Sequence, residues 1–351
     1  MDINNFWNNH TLNDFQQWAI LKNVHSLRIN SLCFLKDGRI VSSSFDRYIL
    51  IYNKNTFKID IRIREKIRII YMNINKDGIL ITCLDGISLH LYEIKGKRYS
   101  IIQTIKPYNF FFNIIGKISD ICSINKYVEL KKGDIAILLS GHSLCFYRKK
   151  ENSKQYSYLS KFNEKFNEDI SDLCELDDKQ YCLFFKLEKL IKFLDWNKKK
   201  ITHTIKIKNN NDPFSTISPK NQLLLINERD LFVVGEKHIS IIDIKNKEII
   251  KNIFLHLSGY LSYMYKLSEN IILAGFWNKY IGQLEYDDIK KELKFISNIG
   301  QEYSSSSRDL YNVTSIIFNN SLIVSSYDED FISSLIIYQL KTKWQQSLYF
   351  I

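Results

Sequence analysis

Residues Ile29–Asn53 read INSLCFLKDGRIVSSSFDRYILIYN, and Ile67–Glu93 read IRIIYMNINKDGILITCLDGISLHLYE. The stretches match at a spacing of 40 residues: Asp37-Gly38 falls on Asp77-Gly78, and Tyr52 falls on Tyr92. Apolar and polar residues alternate within each, the period-2 pattern of a strand with one buried face. A repeat of about 40–45 residues built from short strands is the mark of propeller blades, each a four-stranded sheet.

The first strand of the unit recurs as Ile29–Cys33, Ile67–Tyr71, Ile118–Cys122, Ile170–Cys174, Leu261–Tyr265 and Val313–Ile317, with a weaker copy at Gln222–Leu225. The third strand ends in step at Tyr52, Tyr92, Tyr147, Leu194, Ile242, Leu284 and Tyr338. Both counts give seven. The expected fold is all-β, a seven-bladed β-propeller forming a single domain, with blades at about 25–63, 64–106, 117–162, 168–207, 218–254, 258–299 and 311–340. Residues 17–24 (QWAILKNV) read as an outer strand with no earlier strands of its own. They are expected to close the ring in the last blade, in preference to the C-terminal tail 341–351, because pairing the chain ends removes an exposed sheet edge.

The 351 residues are 45% hydrophobic and 14% aromatic, values that suit a folded core and exclude a disordered chain. The formal charge of +11 admits nucleic acid or an acidic membrane as partner, but the lysines are scattered through turns, as a solvated surface requires. The six cysteines include no C-x-x-C pair, so zinc and redox motifs are absent. Cys33, Cys122 and Cys174 share one repeat position, as small buried hydrophobes do. The N-terminus has no basic and apolar leader, and no apolar run reaches the length that spans a bilayer. These features lead to the expectation of a cytoplasmic or nuclear protein, not secreted.

The first unit resembles the WD40-repeat propellers. His25 precedes the first strand, Asp37-Gly38 makes the first turn, and Ser42–Asp46 leads into the strand ending at Tyr52-Asn53, where that family has Trp-Asp. The resemblance implies a hydrogen-bonded set of His25, Ser42, Asp46 and Tyr52 inside the blade. Such a set is stabilising when every member finds a partner. The likeness covers nearly the whole chain and is closest in blades 1, 2 and 7. No Trp-Asp dipeptide occurs, so packing is expected to hold the other blades together.

No phosphate-binding loop, nucleophile elbow or H-E-x-x-H helix is present, and the seven histidines are spread among different repeats. Acid pairs such as Asp177-Asp178 and Asp287-Asp288 fall at turns, where Asp bonds its own backbone. No catalytic residue, metal or cofactor is expected. In WD40-type rings the loops entering each blade and the turns between second and third strands gather on one face. That alignment places Arg28, Phe45, Arg47, Arg68, Trp277, Lys279 and Tyr327 there, mostly aromatic and basic types that dominate interfaces. Two insertions, Lys106–Gly116 and Gln301–Asn312, are further candidate contact segments. The reading is a non-enzymatic scaffold that binds another protein or peptide through one face. The alternative is a binder of anionic ligands, either phosphoinositide membranes or nucleic acid.

Overall fold

Alternation in the sequence becomes sheet wherever a turn returns the chain after five to eight residues. A computed structural model describes residues 10–85, 88–107, 124–140, 143–162, 166, 168–207, 223–235, 237–255, 260–276, 280–299, 312–319, 322–329 and 332–341. Blade 1 is β2 (Ile29–Phe34), β3 (Ile40–Ser44), β4 (Tyr48–Tyr52) and β5 (Ile59–Arg64). Blade 2 is β6 (Ile69–Ile74), β7 (Leu80–Leu84), β8 (Ser88–Lys95) and β9 (Arg98–Ile105). Blade 3 is β10 (Ile124–Glu129), β11 (Ile135–Leu139), β12 (Ser143–Lys149) and β13 (Tyr156–Phe162). Blade 4 is β14 (Asp172–Glu175), β15 (Gln180–Phe185), β16 (Leu190–Asp195) and β17 (Lys200–Lys206). Blade 5 is β18 (Leu223–Leu225), β19 (Asp230–Val234), β20 (His238–Asp243) and β21 (Glu248–Phe254). Blade 6 is β22 (Leu261–Lys266), β23 (Ile271–Phe276), β24 (Ile281–Asp287) and β25 (Glu292–Ile299). Blade 7 takes β26 (Asn312–Asn319), β27 (Leu322–Glu329) and β28 (Ile332–Leu340) from the end of the chain and β1 (Phe15–His25) from its beginning. All seven are antiparallel four-stranded sheets, and the protein is a seven-bladed β-propeller closed by its N-terminal strand.

The core is divided in the same way. Seven apolar clusters are found among the described residues, and each joins one pair of neighbouring blades: 1–2, 2–3, 3–4, 4–5, 5–6, 6–7 and 7–1. No interface is skipped, which is what closure requires. Leu12 and Phe15 insert between blades 6 and 7, and the Leu12 amide donates to Gln283 Oε1 at 2.9 Å, pinning the segment before the closing strand.

Each blade also carries a one-residue bulge in its outer strand, opposite the same step of its third strand. The extra residues are Asp60, Ile102, Leu159, Thr202, Ile250 and Ile296 in blades 1 to 6. In blade 7 the extra residue is Trp18, opposite Ile337 and Tyr338. A bulge bends and further twists its strand. Its recurrence in β1 shows that the closing strand is equivalent to the six outer strands joined to their blades by hairpins.

Blade 3 corrects the sequence reading. Its inner strand is Ile124–Glu129, whereas Ile118–Cys122 lies outside the described residues. Val128 pairs with Ala136 in the place where Cys33 pairs with Val41 and Cys174 with Cys182. Cys33 and Cys174 are therefore equivalent, and the third occupant is Val128 rather than Cys122. The diagnostic residue is Gly133. It has φ +87°, matching Gly38 at +86° and Gly78 at +85°, and each of the three amides bonds the carbonyl three residues back. A positive φ at the close of that turn favours glycine over any residue with a Cβ.

Candidate functional site

The loops entering each blade and the turns between second and third strands lie on one side of the ring, here the upper face. In blade 1 this side is organised by a buried polar chain. His25, the last residue of the closing strand, has Nδ1 2.9 Å from Asp46 Oδ2 and Nε2 2.7 Å from Ser42 Oγ. A carboxylate can only accept, so Nδ1–H donates to Asp46, while Nε2 shares a hydrogen bond with the Ser42 hydroxyl. The Tyr52 hydroxyl sits 3.0 Å from Ser42 Oγ and supplies the next donor. All four side chains inferred from the resemblance are in one hydrogen-bonded line.

Asp46 also accepts from the amides of Ser26 at 3.1 Å and Tyr48 at 2.9 Å, so one carboxylate fixes both the loop and the turn. Burial pushes the Asp46 carboxyl upward, but its bond to His25 and the nearby imidazole outweigh this and hold it below the ordinary range. Burial pushes the Tyr52 hydroxyl well above the usual range for tyrosine, so it remains a donor.

Blade 2 solves the same problem with different residues, which the sequence reading missed. Glu65 stands 40 residues after His25, and Thr82 and Tyr92 stand at the same offset from Ser42 and Tyr52. The acid has moved to the loop and the imidazole to the third strand. Glu65 Oε1 accepts from His90 Nδ1 at 2.9 Å and from the Tyr92 hydroxyl. Burial raises the Glu65 carboxyl, and the bonds from His90 and Tyr92 bring it below the usual value. Applying the 40-residue offset to His25 is the sequence signal that finds Glu65.

The surface above these networks carries the predicted interface residues. The Arg28 carbonyl accepts from the Phe45 amide at 3.2 Å, and the Arg68 carbonyl accepts from the Asp85 amide at 2.8 Å, the same bond one blade later. Arg28 and Phe45 are half-buried, while Arg47 and Arg68 are exposed. Arg47 has φ +73°. For a residue with a Cβ this left-handed conformation costs about 1–2 kcal/mol. It is held there by its amide on Ser44 O at 3.2 Å and by its carbonyl, which accepts from the Glu65 amide at 2.8 Å. Glycine would adopt this turn without strain; arginine in its place projects a cation from a fixed point. Trp277 and Lys279 lie outside the described residues, as does most of each insertion. Tyr327 falls in β27.

Inside the ring the inner strands enclose a cavity of about 240 Å³, lined by Asn30, Ser31, Tyr71, Asn73, Tyr263 and Tyr265 among others. Around the same channel Lys126 Nζ lies 2.6 Å from Asp172 Oδ1, while Asp172 Oδ2 accepts from the Leu223 amide at 3.1 Å. One carboxylate thus ties the inner strands of blades 3, 4 and 5. Burial pushes the Tyr71 and Tyr265 hydroxyls upward, so both remain protonated. Among the described residues no three His, Cys, Asp or Glu side chains are grouped to hold a metal ion. Among them, too, no helix is long and apolar enough to cross a membrane.

No family model matches the chain, and no curated protein does. Chains of solved structures match in large number, 1542 in all, which marks a shape shared across many proteins. One belongs to a structure described as "Crystal Structure of Mitotic Checkpoint Complex", with a TM-score of 0.66 over 93% of this chain and 92% of that one. The two sequences are 9% identical, so the likeness establishes the fold alone.

Proposed function

We propose that this ring is a non-catalytic scaffold of the WD40 type that binds a protein partner through its upper face. The observation that carries the reading is Arg47, fixed in a strained conformation beside Phe45 and exposed above the blade 1 network. Strain of this kind persists where surrounding bonds over-determine it, and it clusters at functional positions. Arginine and aromatic side chains presented on a rigid support bind with little ordering cost. The hydrogen-bonded line through His25, Ser42, Asp46 and Tyr52 supports the WD40 assignment. The structural neighbour is itself part of a protein complex, which accords with protein partners.

A cytoplasmic or nuclear setting belongs to the same proposal. Cys174 and Cys182 pair directly across β14 and β15 as free thiols, which suits a reducing compartment. Burial pushes the Cys174 thiol up to about 12, so it is a packing group rather than a nucleophile.

The test is affinity capture of the tagged chain with cross-links mapped by mass spectrometry. Partner cross-links should fall on the upper face, and Arg47→Glu with Arg68→Glu should remove the partner. Lys54→Glu, on the opposite face, should not. Cross-links confined to the opposite face, or capture indifferent to the reversals, would refute the reading.

A further inference from the structure

Arginine is concentrated in one blade. The chain has ten arginines against 39 lysines, yet Arg28, Arg39, Arg47, Arg62, Arg64 and Arg68 fall within 41 consecutive residues. Arg47, Arg62, Arg64, Lys66 and Arg68 are exposed, and among the described residues none of these five is in an ion pair. Some exposed lysines elsewhere are paired, as Lys95, Lys132 and Lys154 each meet a carboxylate within 3 Å. The acids interleaved with the arginines face inward or are already engaged. Asp46 serves His25, Glu65 serves His90 and Tyr92, and Asp60 bonds Asn53 at 3.2 Å and lies 3.8 Å from Lys97. Asp85, whose amide bonds the Arg68 carbonyl, bounds the strip at that end. The result is a local excess of positive charge with no internal counterpart.

The geometry is as specific as the charge. Arg62 and Arg64 alternate on β5 and share one side of it, with Ile61 and Ile63 buried on the other. Both guanidinium groups lie over the Tyr48 ring, at 5.5 and 5.9 Å from its centre. The aromatic face orients the two cations before any ligand arrives. β5 is the last strand of its sheet, and among the described residues no strand pairs with its outer edge. Along an extended chain alternate side chains repeat at roughly 6.5–7 Å, the spacing of Arg62 and Arg64 themselves.

We infer that this edge docks an extended acidic segment of the protein partner. The segment adds to blade 1 as a fifth strand, with carboxylates at alternate positions opposite Arg62 and Arg64. Its continuation runs toward Arg47 and Arg68 on the upper face. Arginine suits the task better than lysine because its planar fork meets a carboxylate through two parallel bonds. The inference rests on the scaffold reading and names the chemistry of its partner. The plainer account is that charge on an edge strand only blocks edge-to-edge association. In that case lysine would serve as well as arginine.

The test uses the purified full chain and a fluorescent peptide with Glu and Thr alternating, long enough to span Ile59–Arg68, read by anisotropy and by amide exchange over β5. Saturable binding with new protection along β5 is expected. The double variant Arg62→Lys, Arg64→Lys should weaken it about tenfold through loss of the paired bonds. Charge reversal with Arg62→Glu and Arg64→Glu should abolish it, and Arg98→Glu on β9 should leave it unchanged. Melting curves should match wild type, because the side chains are exposed. No binding at low salt would overturn the inference, as would equal binding by a peptide with its acids clustered, or an unchanged affinity in the lysine variant. Preferential capture of an oligonucleotide or of anionic vesicles by the same arginines would also overturn it. Cross-links to the upper face alongside a failed peptide test would leave the scaffold reading standing and remove only this step.

Discussion

Blades 1 and 4 fill the same three places in opposite ways. By register, Ser42 and Tyr52 of blade 1 correspond to Leu183 and Leu194 of blade 4, and Phe166 precedes Leu183 by the same 17 residues that separate His25 from Ser42. The first set is joined by hydrogen bonds and the second is packed in a single apolar cluster. The position of Ser42 stays polar in blades 2 and 7, as Thr82 and Ser325, and turns apolar in blades 3, 5 and 6, as Ile137, Val233 and Ala274. The ring therefore has a polar arc, blades 7, 1 and 2, and an apolar arc, blades 3 to 6. One backbone tolerates both because each filling is internally complete: the polar set satisfies its members, and the apolar set has none to satisfy.

That contrast can be broken at five points. Phe166→Ala removes a large side chain from an apolar cluster, together with the ring beneath the Lys192 ammonium, and should cost about 4 kcal/mol in urea unfolding. His25→Ala leaves the Asp46 carboxylate and Ser42 hydroxyl short of partners and should cost about 3 kcal/mol. Replacing His25, Ser42 and Tyr52 together with Phe, Leu and Leu should cost less than the three single changes added, since the bonds of Ser42 to His25 and Tyr52 are lost with both partners and only Asp46 is left short of one. Val233→Ser places a hydroxyl in the apolar arc without the neighbours that blade 1 provides, and should cost about 2 kcal/mol. A cost near zero for Val233→Ser would dissolve the distinction between the arcs.

The last point is acidity. The Asp46 and Glu65 carboxyls sit below their ordinary range in the folded ring, so on acidification the unfolded chain takes up protons first. Each contributes stability that is complete above the unfolded pKa of about 4 and is lost as the pH falls through the lower native value. Melting temperature against pH should show this loss. Asp46→Asn should flatten part of it, and Phe166→Ala should leave its shape unchanged, because the blade 4 set has nothing to titrate.

The ring was legible in the sequence because a large side chain recurs near the end of each third strand at intervals of 40 to 55 residues, and these residues prove equivalent down to the bulge beside them. The start of blade 3 was not. Alternation at Ile118–Cys122 looks like a strand by the same rule that finds the others, and period 2 alone cannot separate two nearby candidates. Gly133 could have, through the backbone demand of its turn. At the site, the blade 1 set was legible because it keeps the residue types of the pattern that it resembles. Glu65 and His90 were not, because the acid takes the place of His25 and the imidazole moves to the third strand, at the position of Leu50, while a bond between them is kept. A pattern of residue types hides what a pattern of donors and acceptors reveals.

β1 pairs with β28 across nearly the whole chain, Phe15 opposite Leu340. During synthesis the strand made first is thus the one that must wait longest. Six blades emerge from the ribosome and can assemble on one another while Phe15–His25 has no neighbour to accept it. Closure through so distant a pairing is slow, and the interval leaves an unpaired edge open to other chains. For this molecule the hazardous period in the cell is the time between its first strand and its last.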